Sequence, residues 1–145
     1  MKTRHFLVVL LALLTIACGA DSATAPSSTS TAASSTTAAY DGFEATLGHG
    51  GSSFFSFNVT TAGAAGVMLA SVVREGQFPP LVVHLRIGLG VPAGEGCNVG
   101  ESVDVLPSLT PQLATTLPAG IHCVSVEDVG EVTGTVVASV RFTHT

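Results

Sequence analysis

From Tyr40 onward, apolar and polar side chains alternate with a period of two, as expected for strands that bury one face and expose the other. In Phe54 to Val59 this pattern puts Phe55, Phe57 and Val59 on one face and Ser56 and Asn58 on the other, with Phe54 on the solvated side. Leu81 to Leu89 points Val83, Leu85, Ile87 and Leu89 inward and His84 and Arg86 outward. The last segment alternates most cleanly, with Val132, Gly134, Val136, Ala138, Val140 and Phe142 sharing a face. Ile121 to Val126 and Ala64 to Val73 complete five strong strands. The latter is read as a buried strand because Val67, Val72, Val73 and flanking glycines outweigh its alanines and methionine. Tyr40 to Leu47, Ser102 to Leu106 and Gln112 to Leu117 are weaker candidates.

Turn chemistry separates these runs. Gly48-His49-Gly50-Gly51, Thr61-Ala62-Gly63, Phe78-Pro79-Pro80, Pro92 to Gly100 and Pro118-Ala119-Gly120 lie between them, and no helical period intervenes. The predicted class is all-β: an antiparallel, jelly-roll-like β-sandwich over residues 40–145.

Ahead of the sandwich, the alternation is lost. Lys2 and Arg4 precede the apolar run Phe6 to Ile16, and Thr15-Ile16-Ala17-Cys18 resembles a lipobox. The run is much shorter than the roughly 20 residues a membrane-spanning helix needs. Residues 1–17 are therefore expected to be a lipoprotein signal peptide and Cys18 the acylated N-terminus, with ordinary cleavage nearby as the alternative. Residues 18–39, almost entirely Ser, Thr and Ala, have too few large side chains to order themselves and should form a disordered linker. The expected location is the bacterial cell envelope, lipid-anchored at the outer membrane.

Removing Lys2 and Arg4 moves the net charge from −5 to −7, leaving Arg74, Arg86 and Arg141 as the cations. A surface this acidic argues against nucleic acid and anionic lipid headgroups as partners. With Cys18 assigned to lipid, Cys97 and Cys123 remain in an oxidising compartment and are expected to form a disulfide.

The segment Pro118-Ala119-Gly120-Ile121-His122-Cys123-Val124-Ser125-Val126, with the upstream Phe-Ser-Phe-Asn-Val strand and the closing Val-Ala-Ser-Val-Arg-Phe-Thr strand, resembles the bacterial pre-peptidase C-terminal domain. The resemblance spans roughly Ala45 to His144. It implies a small β-sandwich of the kind that accompanies secreted peptidases and assists secretion, stability or substrate attachment. It also puts His122 at a position where that family carries Tyr. The family's Asp-rich strand is missing, and no cofactor or metal is expected.

Other candidate chemistry points the same way. Gly88-Leu89-Gly90-Val91-Pro92-Ala93 matches a dinucleotide-loop spacing, but Pro92, Gly94 and Gly96 prevent the helix that such a loop must open, so an irregular loop is expected. His49, His84, His122 and His144 lack the spacing that sets two metal ligands on one face. Glu127, Asp128 and Glu131 read as solvated carboxylates before the last strand. No serine sits in a GxSxG elbow, so no enzyme activity is expected.

The expected function is a protein or cell-wall interaction module. The alternatives are a carbohydrate-binding module or a structural subunit of an envelope or secretion complex. Glu95, Glu101 and Asp104, near the Cys97 segment, are the candidate ligand contacts, with Phe54, His84 and Arg86 on the strand face as a second group.

Overall fold

A computed structural model of the chain describes residues 37–145 apart from 76 and 78. The expected signal peptide, Cys18 and nearly all of the linker lie outside the described residues. Eight strands follow in order: β1 (Ala39–Leu47), β2 (Ser52–Val59), β3 (Gly63–Arg74), β4 (Leu85–Ala93), β5 (Gly96–Val105), β6 (Leu113–Leu117), β7 (Gly120–Asp128) and β8 (Val136–His144). They form two four-stranded antiparallel sheets, β1-β8-β3-β6 and β2-β7-β4-β5, the strand order of a jelly roll.

The inward side chains fill the space between the sheets. Leu47, Val59, Val67, Leu69 and Val72 pack with Leu85, Ile87, Val124, Val126, Val136, Val140 and Phe142 as one buried cluster. β3 is a strand throughout, as its β-branched residues required.

Two runs of alternation extend beyond their strands. Leu81 to His84 is not paired as a strand, although the Leu81 N–H donates to Val72 O at 2.7 Å. The His84 N–H is taken by a Glu131 carboxylate oxygen at 2.8 Å in place of a neighbouring strand. Val132 is fully buried as predicted, yet β8 begins only at Val136. Its backbone N–H, like that of Glu131, is captured at 3.0 Å by Asp128 Oδ1, which closes a local turn between β7 and β8.

Asp128 itself corrects the sequence reading. It is a buried carboxylate, 4% exposed, and its second oxygen accepts the Gly50 N–H at 2.8 Å. It therefore ties the β1–β2 turn to the β7–β8 connection. A carboxylate that accepts several backbone N–H groups is satisfied by them, so this one can be buried, with the exposed His49 ring standing 3.6 Å from its Oδ2.

Pro92 to Gly100 is likewise no loop. β4 and β5 pair as far as Ala93 opposite Gly96, which leaves a two-residue turn, Gly94-Glu95, with Gly94 at φ 58°. Cys97 is thus a strand residue near a hairpin tip. The Gly88 to Ala93 run expected as an irregular loop is β4.

Candidate functional site

Directly opposed residues in antiparallel strands project to the same side of a sheet, so the register gives the outer face of β2-β7-β4-β5 row by row. One row is Ser52, Glu127, Arg86, Asp104; the next is Phe54, Ser125, Gly88, Ser102; a third is Ser56, Cys123, Gly90, Val99. Glycines at 88 and 90 leave the centre of the face without side chains. A Cβ at Gly88 would stand 2.7 Å from both Val99 Cγ1 and Ser125 Oγ.

The β5 tip fills this cleared centre. The register of β5 shifts between Leu89 and Gly90, and the bulge bends the strand back across β4. Cys97 on β5 and Cys123 on β7 are separated by β4 in the sheet, a spacing of about 10 Å for flat strands. Their Cα atoms are nevertheless only 5.9 Å apart and joined by a disulfide, as predicted. Cys123 faces outward by parity, yet the folded tip buries it completely.

The tip forms one wall of a groove of about 390 Å³. Its lining includes Glu95, Gly96, Cys97 and Val99 on the hairpin side, Ser52, Ser53 and Phe54 on β2, and Ser125 and Glu127 on β7. Phe54 stands 38% exposed in it, so two of the sequence-predicted contacts, Phe54 and Glu95, meet at one place.

The other candidates are placed elsewhere. Arg86 donates from Nε and Nη2 to the two Asp104 oxygens at 2.7 and 3.1 Å. This pair holds Asp104 below the usual carboxylate range and raises Arg86. His84 lies 2.9 Å from Glu131 Oε1, and Glu131 is held low, first by the backbone N–H of His84 and then by its ring. Glu101 accepts from Thr115 Oγ1 at 3.3 Å and borders a separate cleft of about 280 Å³ with Leu89, Leu117 and His122. The three acids grouped in sequence are therefore not one cluster. Among the described residues no group of three or more His, Cys, Asp or Glu could hold a metal ion.

The charged groove member that sequence reasoning left out is Glu127. The available signal was its outward parity two residues from Ser125, but an acid before the last strand read as part of a solvated turn. His122 is buried at 6% exposure against Phe57, with Nε2 2.9 Å from Pro118 O. It packs inside the sandwich along with Val124 and Val126.

No family model, curated protein or solved structure matches this chain.

Proposed function

We propose that the protein is an exported, lipid-anchored envelope module that works by binding, through the outer face of β2-β7-β4-β5, to a protein or cell-wall partner. The observation that carries this reading is the groove in which Phe54 meets Glu95 across a hairpin tip held by the Cys97–Cys123 disulfide. A wall fixed before binding loses little conformational entropy on association. Covering the remaining exposed part of Phe54 is worth on the order of 2 kcal/mol. The signal-like N-terminus and the lipobox-like Cys18 supply the anchor, since more than one acyl chain gives stable membrane attachment.

A second reading, a saccharide-binding face, is favoured by the hydroxyls of Ser52, Ser53 and Ser125 around the Phe54 ring. The resemblance to pre-peptidase C-terminal domains is compatible with either.

The test places a photoreactive amino acid in place of Phe54 or, as a control, of Thr46 on the other sheet, in cells expressing the full chain. Protein or peptidoglycan adducts from position 54 alone support the reading, and adducts from both or neither position refute it. In parallel, Cys18→Ala should release the protein from membranes, whereas equal partitioning of both forms removes the anchor from the proposal.

A further inference from the structure

Among the described residues, the two open sheets of the jelly roll have four edge strands, β1, β6, β2 and β5. Natural proteins shield such edges, because unpaired backbone groups are templates for another strand. Three edges are guarded. β6 is five residues long, and beyond it the rest of β3 is covered by the segment that precedes β6: Ser108 N–H donates to Leu69 O, Gln112 N–H to Val67 O, and Gln112 Oε1 accepts from Leu69 N–H. β5 carries a bulge, Glu101 and Asp104. β1 carries Asp41 and Glu44.

β2 has none of these devices. Ser52-Ser53-Phe54-Phe55-Ser56-Phe57-Asn58-Val59 contains no charge and no proline, and its register with β7 runs without a shift. Phe54 on the outer side and Phe55 on the inner side are left 38% and 41% exposed at this edge.

The first row of the outer face adds a charge pattern. Moving inward from the edge it reads Ser52, Glu127, Arg86, Asp104. Arg86 is held in two hydrogen bonds by Asp104, so Glu127 is left as the outermost charge, with only the small Ser52 between it and the edge. We propose that the β2 edge receives an extended peptide as an added strand, with a Lys or Arg side chain lying over Ser52 against Glu127 and an apolar side chain, three residues away in the peptide, covering Phe55.

Strand spacing supports the reach. An added strand and β7 would be about 10 Å apart, a gap that a long basic side chain and a glutamate close between them. The Phe54 ring, one row along on the same face, adds a surface over which a cation is attracted. On the inner side, the Phe55 ring already stacks on Phe43 at 5.7 Å and offers its open flank to an apolar neighbour. Charge selects against a second copy of this chain, because its β2 strand carries no cation to set against Glu127.

This inference rests on the proposed outer-face reading, and its test is separable from that one. Amide NMR spectra of the full chain in detergent micelles are recorded with a blocked octapeptide of Thr and Val that carries one Lys and one Phe three residues apart. Shifts should concentrate on Ser52–Val59. Of two peptides N-methylated on alternate amides, the one blocked on the edge-facing set should fail to bind and the other should bind. Replacing the peptide Lys by Glu, or Glu127→Gln in the protein, should weaken binding about two- to fivefold, the worth of one exposed ion pair, with added salt acting in the same direction. Equal binding by both N-methylated peptides, or shifts centred on β6, overturns strand addition. Concentration-dependent shifts of β2 without peptide overturn the choice of partner in favour of a second copy. If position 54 crosslinks in the envelope while the peptide fails, the edge inference falls and the outer-face reading stands.

Discussion

The backbone of Asn98 passes directly over Gly90, so that a Cβ built on Gly90 would overlap the Asn98 carbonyl and stand 2.8 Å from Val99 Cα. The obstacle is backbone and cannot rotate away. Gly90→Ala should therefore unseat the β5 tip, with an expected loss of at least about 2 kcal/mol, in the range of overpacked core sites. Gly48→Ala, where an added Cβ meets nothing within 4 Å, is the control and should stay within about 0.5 kcal/mol of the parent. Urea unfolding midpoints of the two variants decide the matter, and equal midpoints would remove the close approach as a determinant of the fold.

The same tip is held covalently. Cys97 and Cys123 are separated by 26 residues, and closing a loop of that length restricts the unfolded chain by about 3.5 kcal/mol in the entropic account. Replacing both cysteines by alanine should lower the thermal midpoint by roughly 15 °C. It should also speed amide exchange first at Gly96 to Val99, because that segment loses its anchor while β4 and β7 keep their ladder. Uniform acceleration over all strands would instead mean that the bridge acts only through the unfolded state.

β3, whose inward set passes from Leu69 to Val72 at a bulge, was legible from its β-branched residues, and β4, β7 and β8 were legible because their inward positions alternate, and parity is what burial requires. It failed where a side chain took over a backbone partner. Val132 and Leu81 kept their apolar character, but carboxylates of Asp128 and Glu131 captured nearby N–H groups and ended the ladder early. Phe55 has inward parity and is still 41% exposed, since it lies on an edge strand, where the facing sheet sets Phe43 and the tilted ring of Phe142 against it. The groove was only half legible. Phe54 could be placed by alternation and Glu95 by its nearness to Cys97, but bringing them together needed the bulge at Leu89 and Gly90, which alternation does not encode.

Acid should act through Asp128. Burial pushes this carboxyl up, but N–H groups of Gly50, Val132, Gly130 and Glu131 together outweigh that effect and leave it below its ordinary value. A carboxylate lowered in the folded state contributes stability that is fully present above its unfolded pKa of about 3.9 and is lost as pH falls through the folded value. Asp128→Ala should cost on the order of 3 kcal/mol at neutral pH by stranding buried N–H groups. Asp128→Asn should also be less stable than the parent there, with the gap closing as pH falls below about 4. Unfolding free energies measured across that range test the sign, and a gap that widens in acid would contradict it.

Glu95 and Glu101 lie near each other along β4–β5 but face different surroundings, which makes them a discriminating pair. Glu95 stands at the hairpin tip and lines the groove with Phe54 and Glu127, whereas Glu101 accepts a hydrogen bond from Thr115 and borders the cleft beside β6. If partner capture uses the outer face, Glu95→Ala and Phe54→Ala should each weaken it, while Glu101→Ala leaves it within twofold. The two glutamate substitutions are at the surface and should shift folding stability by no more than about 0.5 kcal/mol, so a loss of capture by Glu95→Ala reports the contact and not the fold, whereas Phe54→Ala also gives up the covered part of its ring and is read against its own unfolding midpoint. Asp104→Ala gives an intermediate test, because it frees the Arg86 guanidinium to turn toward Glu127 in the same row. Capture should then fall although Asp104 itself lines no part of the groove, since the Glu127 charge in the groove would be neutralised. Capture measured by crosslinking yield in the native envelope ranks the four variants. A ranking led by Glu101 would move the binding site to the cleft between β5 and β6.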